Sequence, residues 1–396
     1  MRLLDLEKMS VEELSSTLNL RPEQQPIAQK FLEMQLPTRK SEAYRYFEVE
    51  PWLREEYQSK DFLCHSTEYG DKIIIENGCV TTAPKGIRVY SAHCENIDMN
   101  HYDPLYYLGH LLSPQVIMIE IDGDSDIEIL HRLTKANSLL AYRIVLVNQA
   151  NRHASFYESF ESQGVEDSLI LYGYDIRVQP HSTLRLIKNQ TIVNDAYRMV
   201  ASHSVNVESN STMMLKSFDF GDSSALQLFN ISLQSHASIE MGQLLYLKGS
   251  AKRGTISRIV HQGEHTTSSQ ESKNILDGES RGIFDALIKV SANGRYSKVE
   301  QNAKSILLQQ GAYMVSKPQL EIYIDELEAS HGSTTGQLDE NQLFYLQSRG
   351  ISETEARKML VLAFAHTLIE RVRDQRQAQK ITESFEEAFY AQKETL

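Results

Sequence analysis

The sequence contains little cysteine and little proline, and it has no long apolar run. Three cysteines in 396 residues are too few for a disulfide framework. Nine prolines and 19 glycines exclude a collagen-like or low-complexity chain. The longest apolar runs are far shorter than the ~20 residues that a membrane helix needs, and charges near the start argue against a secretory signal. We therefore expect a cytoplasmic protein in a reducing compartment, with no membrane association.

Positive charge is also scarce. The chain has 40 Lys and Arg residues against 53 Asp and Glu residues, which gives a formal net charge of −13. An acidic chain without clustered basic residues binds nucleic acid poorly, so we expect no nucleic-acid partner. Apolar residues make up 41% of the chain and charged residues 23%, which suffices for a folded core and excludes wholesale disorder.

The common enzyme motifs are missing. The segment 249–254 has the glycine spacing of a P-loop, but Thr255 follows where that motif has lysine. The zinc-protease motif H-E-x-x-H, the C-x-x-C pair and the G-x-S-x-G nucleophile turn are absent too. Missing motifs do not exclude catalysis, but they make a non-enzymatic role the expectation.

The N-terminal residues 1–65 are predicted to be helical. Good helix formers with mixed polar and apolar spacing predict helices over 11–18 and 24–34. Pro37 ends the second helix, because the residue before a proline is disfavoured in the helical conformation.

Residues 66–330 show a different pattern, in which apolar and polar residues alternate with a period of two, as at Leu184 and Leu186. This alternation is typical of strands with one buried face. A short polar corner before each strand recurs every 26 to 29 residues, which indicates a repeat architecture. We therefore predict a mainly β chain that folds as a β-helix, or solenoid. The corners begin at Asp124, His153, His181, Asn210, His236, His265 and Asn293.

The end of the solenoid is predicted to expose an unpaired strand. Leu320, Ile322 and Ile324 alternate with polar residues in a last strand over 320–327, and no further repeat covers it. Such an edge leaves backbone groups unpaired, and a homologous chain could satisfy them by strand addition.

Residues 331–396 are predicted to form a C-terminal helical domain. A helix over 339–348 ends near Gly350, a second begins at Ser352, and a third covers about 381–390. These helices carry more apolar surface than a cap requires, so part of it is expected to face a partner. The stripe predicted for the second helix is Ala356, Met359, Leu360, Ala363, Phe364, Thr367 and Leu368.

Several histidines and cysteines are candidates for metal binding. His153, His181, His236 and His265 share one corner of the repeat, but Asn210 interrupts the series, so a turn role is favoured. A second group lacks the tight pairs of structural zinc sites, and packed or surface residues are favoured there. Its members are His93, Cys94, His101 and His110. Cys64 and Cys79 have no evident partner and are expected to be small buried residues.

His331 is the strongest single candidate. It lies in the segment 329–336, just past the predicted last strand, between small residues that leave its imidazole accessible. Imidazole is a good ligand for soft metals. A histidine that merely caps the strand-to-helix corner fits the sequence equally well, and both possibilities stay open.

A run of motifs from about residue 318 to 364 includes Ser330-His331-Gly332, and further motifs lie upstream of this run and near the N-terminus. The other segments are 36–42, 301–303, 305–308, 318–322, 336–339, 343–346 and 348–351. Together these segments resemble the SufB/SufD family, which comprises the scaffold components of the SUF iron–sulfur cluster assembly system.

This resemblance implies a right-handed parallel β-helix and a non-catalytic scaffold that supports nascent cluster assembly and iron acquisition. The short chain and the Ser-His-Gly motif are similar to the SufD-type branch. The implied partners are a SufB-like paralogue and a SufC-like ABC ATPase, in a complex of one SufB, two SufC and one SufD. The resemblance implies no stably bound cofactor, although an iron–sulfur cluster or iron can lie transiently at the partner interface. A homodimer is expected for the isolated chain.

The resemblance also assigns candidate residues. His331 matches the family histidine proposed to help hold the nascent cluster, whereas Ala329 stands where many SufD proteins have a cysteine. The edge strand with Leu320, Ile322 and Ile324 would face the SufB-like partner. The C-terminal domain would bind the ATPase through Leu343, Phe344, Tyr345, Arg349, Met359 and Phe364.

Two other functions remain as alternatives. Many β-helices are enzymes that act on acidic polysaccharides with aligned carboxylates and Ca²⁺, but the repeat shows no aligned Asp cluster. A homo-oligomeric scaffold that works without a SufB-like partner would have to bind a cluster alone, which the lack of thiols near His331 disfavours.

Overall fold

The computed structural model describes residues 2–59, 64, 67–93, 97–113, 115–192 and 196–390. The helices are α1 (Leu3–Leu6), α2 (Val11–Leu18), α3 (Gln25–Met34), α4 (Glu50–Arg54), α5 (Pro104–Leu112), α6 (Glu340–Ser348), α7 (Glu353–Ile369) and α8 (Gln375–Tyr390). Short 3₁₀ turns cover Pro22–Gln24 and Glu42–Tyr44.

Strands make up most of the rest of the described chain. The first five are β1 (Gln58–Ser59), β2 (Glu68–Tyr69), β3 (Ile73–Glu76), β4 (Cys79–Ala83) and β5 (Arg88–Ala92). The repeating strands are β6 (Val116–Ile121), β7 (Ser125–Leu133), β8 (Ser138–Asn148), β9 (His153–Ser162), β10 (Leu169–Val178), β11 (Thr183–Asn189), β12 (Arg198–Val207), β13 (Thr212–Asp219), β14 (Ser224–Leu233), β15 (Ser238–Leu247), β16 (Lys252–His261), β17 (Thr267–Leu276), β18 (Arg281–Val290), β19 (Ser297–Leu307), β20 (Tyr313–Ile322) and β21 (Leu327–Gly336).

The repeating strands form a solenoid of about eight turns. Each turn adds one strand to an even sheet, which runs from β6 to β20, and one to an odd sheet, which runs from β7 to β21. All neighbours within these runs are parallel, and their registers are continuous. The predictions of a mainly β chain and of a solenoid flanked by helices are therefore confirmed.

The corners between turns explain the polar repeat. At the corner before each odd strand from β9 to β19, one residue adopts a left-handed backbone conformation, with φ between 56° and 61°. Asn and His tolerate this conformation better than most residues, so the turn role predicted for the corner histidines has a direct physical basis. Two corners differ from the prediction, because β9 already begins at His153 and Tyr296 replaces Asn293. The left-handed residues are Asn151, His181, Asn210, His236, His265 and Tyr296.

Three apolar layers hold the fold together. The inner core lies between the two sheets and includes Phe156 and Leu186. The N-terminal helices and α5 cover the outer face of the even sheet, where Leu105 belongs to the same cluster as Val200. The C-terminal helices cover the outer face of the odd sheet, where Phe385 of α8 belongs to the same apolar cluster as buried residues of that sheet. Helices therefore cover both outer faces, whereas β21 at the end of the odd sheet is exposed.

The C-terminal boundary of the solenoid differs from the prediction. The predicted last strand over 320–327 is wrong, because it spans the end of β20, the connection and the start of β21. The solenoid continues to Gly336, so the predicted domain boundary at residue 330 falls inside β21. Small polar residues exposed along β21 give no apolar alternation, which is why this strand escaped prediction. The third C-terminal helix begins at Gln375, earlier than the predicted residue 381.

The cysteines also differ from the prediction. Cys64 and Cys79 form a disulfide bond, so the expectation that they lack a partner is wrong. The two cysteines are 15 positions apart in sequence, and Cys79 starts β4, which lies near the first end of the sheet that contains the odd strands. Cys94 lies outside the described residues. Among the described residues, no helix is long and apolar enough to cross a membrane.

Candidate functional site

The last turn of the solenoid presents an exposed strand. β21 pairs with β19 along one edge, and no described strand pairs with its other edge. Every β21 residue after Leu327 is exposed. Its outer edge is therefore a row of backbone donors and acceptors that another strand can pair with.

His331 lies in the middle of β21 and not past the last strand, so the corner-capping alternative is wrong. It pairs in register with Gln301, which is 1% exposed and therefore faces the interior of the solenoid. Residues two apart share a strand face, and the Ser333 hydroxyl contacts the Ser316 hydroxyl of β20 at 2.9 Å. His331 thus stands on the inward face of β21, at the open mouth of the solenoid.

Residues that pair in register along the odd strands form an inward-facing column, in which each residue is one rung. This column ends at His331, and its residues change from apolar to polar along the solenoid. Its first five residues are apolar and its last three are polar. Within the polar part, Gln301 Nε2 donates to Gln270 Oε1 at 3.1 Å, and Gln270 Nε2 donates to the Ser257 hydroxyl at 2.8 Å. Buried amides are tolerated here because they hydrogen-bond to one another. In order, these rungs are Ile127, Phe156, Leu186, Leu215, Met241, Gln270, Gln301 and His331.

The predicted edge residues lie near the same mouth. Leu320 and Ile322 belong to β20, whereas Ile324 lies in the connection to β21. Leu320 and Ile324 are partly buried and pack against the inner core. Ile322 is 41% exposed and the adjacent Tyr323 is 60% exposed. The exposed part is thus an apolar lip made of Ile322 and Tyr323.

The six candidate residues on the C-terminal helices do not share one environment. Leu343 is buried against the solenoid. Phe364 is partly buried and lies 4.5 Å from the Lys273 ammonium. Both side chains therefore pack against other residues of this chain.

Four candidates are exposed, and we call them together the aromatic face: Phe344, Tyr345, Arg349 and Met359. Phe344 is 72% exposed, Tyr345 57% and Met359 46%. Arg349 lies over the Tyr345 ring at 5.3 Å.

The stripe predicted for α7 is only partly buried. Ala356 and Leu368 are buried, whereas Met359, Ala363 and Thr367 are exposed. The rest of the buried side comes from residues outside the predicted stripe, since α7 carries apolar residues all round and its spacing alone cannot identify the covered side. These are Val361, Ala365 and Ile369.

The histidine groups weighed for metal binding are explained by packing. His236 and His265 stack at 5.0 Å along the corner. His101 and His110 are buried and flank Tyr106, with ring centroids 4.1 and 4.7 Å away. Across the described part of the chain, no three His, Cys, Asp or Glu side chains lie close enough together to hold a metal ion.

A buried charge cluster inside the solenoid was not indicated by the sequence. Glu158 is fully buried, accepts hydrogen bonds from Lys188 and from Tyr174 (2.7 Å), and lies 2.9 Å from His131. Burial alone would raise the pKa of Glu158, but Lys188 and His131 outweigh it and lower that pKa to about 2. Burial lowers the pKa of Lys188. Charged residues inside predicted strands were the only sequence signal for this cluster.

Known proteins are similar to this chain over most of the solenoid and the helices that follow it. Residues 131–364 match the family described as "SUF system FeS cluster assembly, SufBD core domain". A stretch of 123 residues, 31% of this chain and 29% of the relative, is 36% identical to the iron–sulfur cluster assembly protein SufD of Escherichia coli K12. An iron–sulfur cluster assembly SufBD family protein of Synechocystis is 27% identical over 47% of this chain and 41% of its own length. The Plasmodium falciparum protein SufD is 24% identical over 60% of this chain and 16% of its own length. The matched stretches thus span less than half of each relative.

Proposed function

This chain belongs to the SufBD core family of the SUF iron–sulfur cluster assembly system, and we propose that it is a non-catalytic scaffold subunit of a SUF complex. The resemblance identified from the sequence is thereby confirmed at the level of the family. A cytoplasmic location and the absence of catalytic turnover belong to the same proposal.

The observation that carries the proposal is the open end of the solenoid. It combines an unpaired strand edge, an inward-facing histidine and the apolar lip of Ile322 and Tyr323. A SufB-like paralogue offers a matching occupant, because a homologous solenoid presents the same kind of edge. Strand addition would pair the backbone groups of β21 and cover the lip. The same edge supports a homodimer when the paralogue is absent.

The aromatic face supports a second contact, with a SufC-like ABC ATPase. Tyrosine, methionine and arginine are enriched at protein interfaces, and clustered exposed aromatic residues favour a protein partner over solvent. This face lies on α6 and α7, which cover the odd sheet, whereas the strand edge lies at the end of the solenoid. One scaffold can therefore hold both partners at once.

The cluster or iron is cargo in this proposal and not a resident cofactor. His331 is the ligand that this chain would offer, and it is exposed at the mouth. Ala329 stands two residues before His331 on the same strand and supplies no thiolate. One imidazole cannot hold a cluster alone, so the remaining ligands would come from the paralogue across the edge.

Size-exclusion chromatography with light scattering tests the two contacts separately. The chain is co-expressed with its cognate SufB-like and SufC-like proteins. Ile322→Asp should remove the paralogue and keep the ATPase, because a charge would be buried in the lip. The double change Phe344→Ser with Tyr345→Ser should do the reverse. Tyr69→Ser, an exposed aromatic change at the opposite end of the solenoid, is the control. A parent chain that binds neither protein would refute the proposal.

The polysaccharide enzyme is not favoured. Among the described residues, no three His, Cys, Asp or Glu side chains lie close enough together to hold a metal ion. The family match also points to cluster assembly.

A further inference from the structure

The glutamine next to His331 has an unusual hydrogen-bonding state. Gln301 uses both hydrogens of its side-chain amide, because Nε2 donates to Gln270 Oε1 at 3.1 Å and to the Ala286 carbonyl oxygen at 3.0 Å. These two acceptors fix which end of the amide is nitrogen, since exchanging the ends would place oxygen against oxygen.

The other end of this amide has no partner within the described structure. Gln301 Oε1 is buried and accepts no hydrogen bond, although the side chain is 1% exposed. Leaving a buried acceptor unpaired costs free energy, so a donor is expected nearby. The rungs on the inner side of Gln301 are already engaged, and the rung on its outer side is His331.

His331 is the donor that this position calls for. Paired residues in neighbouring strands lie about 4.8 Å apart, which is within reach of an imidazole N–H directed toward the rung below. The hydroxyl of Ser333, the next inward residue of β21, is already bonded to Ser316. We propose that Gln301 is a positioning residue, whose side-chain oxygen accepts a hydrogen bond from one ring nitrogen of His331.

This contact would fix the tautomer of His331. The ring nitrogen that donates to Gln301 keeps its proton, and the opposite nitrogen keeps its lone pair and points out of the mouth toward the paralogue. Metal-binding histidines are commonly oriented by such a second hydrogen bond, and its loss typically reduces metal affinity 10- to 100-fold. The inference rests on the proposed function for its role in holding iron or a cluster, but the contact itself can be tested without either.

The contact is tested by NMR of the full chain with ¹⁵N-labelled histidine at pH 8, where an ordinary imidazole is neutral. Long-range proton–nitrogen spectra show which ring nitrogen carries the proton, and a His331→Ala sample assigns the signal. One net hydrogen bond should favour a single tautomer roughly fivefold. Gln301→Met should abolish that preference and give His331 the tautomer mixture that we expect for the exposed His181.

Gln270→Met is the matched control, because it disturbs the same ladder one rung deeper without facing His331. In the anaerobically purified SUF complex, Gln301→Met should lower retained iron about tenfold, whereas Gln270→Met should leave it near the parent level. A parent His331 with the same tautomer mixture as His181 would overturn the inference, and so would equal effects of the two Met variants. A parent complex that accumulates no iron would refute the proposed function, while the tautomer comparison would still decide the inference.

Discussion

Replacing Lys188 by methionine should destabilise the solenoid more than most single substitutions do. The side chains of Lys188 and Glu158 are both fully buried and in direct contact, with Tyr172 also accepting from the ammonium at 3.0 Å. Methionine fills a similar volume but leaves the Glu158 carboxylate inside the core without its cation. Removing one partner of a buried pair costs about 3–5 kcal/mol.

The pKa of Glu158 gives a consistent magnitude and a pH dependence. A pKa of about 2, against an ordinary 4.5, corresponds to roughly 3 kcal/mol. Because this pKa is lowered on folding, the stabilisation is complete above pH 4.5 and is lost as the pH falls toward 2. In the Lys188→Met variant, burial instead favours protonated Glu158, and His131 can also take up a proton. The difference in the free energy of unfolding between the parent and the variant should therefore be largest at pH 8 and become smaller as the pH falls.

The assay is urea denaturation followed by circular dichroism at pH 8 and pH 5. The double variant Lys188→Met with Glu158→Gln removes both charges and should recover most of the loss, because a neutral pair carries no uncompensated charge. Lys298→Met, which breaks an exposed ion pair with Glu328, should change the free energy of unfolding by less than about 1 kcal/mol. A loss below about 1 kcal/mol for Lys188→Met at pH 8, or a double variant as unstable as the single one, would refute this reasoning.

Three further predictions concern the corners, the disulfide and a buried histidine. His236→Ile should lower the free energy of unfolding by about 1–2 kcal/mol, because a β-branched residue is strained at φ 60°. His236→Gly should not lower it in this way, and the thermal melting curves of the two variants test the difference. Replacing Cys64 and Cys79 together by serine should lower the free energy of unfolding by about 2–3 kcal/mol without reductant and by little with reductant. A parent protein whose melting temperature is the same with and without reductant would contradict the disulfide bond. Burial lowers the pKa of His261 to about 4, so the parent should lose stability between pH 6.5 and 4 more steeply than His261→Gln, and parallel pH profiles would count against this.

The repeat was predictable because its physics is local. A left-handed corner in every turn restricts one position to residues such as Asn and His, and the buried faces impose period two. The helix over Val11–Leu18 followed in the same way from its helix-forming residues and their spacing, and the structure adds a Ser10–Glu13 capping box. Such features depend on a few adjacent residues, so one sequence suffices to find them.

The site was only partly predictable, because its placement depends on contacts between distant residues. His331 was singled out, but its strand has no apolar alternation and is exposed after Leu327. Leu343 and Phe344 are adjacent in sequence, yet one is buried and the other exposed. The Glu158–Lys188 pair and the Gln301 ladder arise from residues about 30 positions apart, which only the register of the strands brings together.

The most direct test of the scaffold role is the iron and sulfide content of the SUF complex purified anaerobically, with the parent chain and with His331→Ala. We expect an unchanged complex mass and a clear loss of cluster in the variant, because His331 lies at the mouth and supports no core packing. A variant complex that carries as much cluster as the parent would contradict the assignment of His331 as the ligand that this chain contributes.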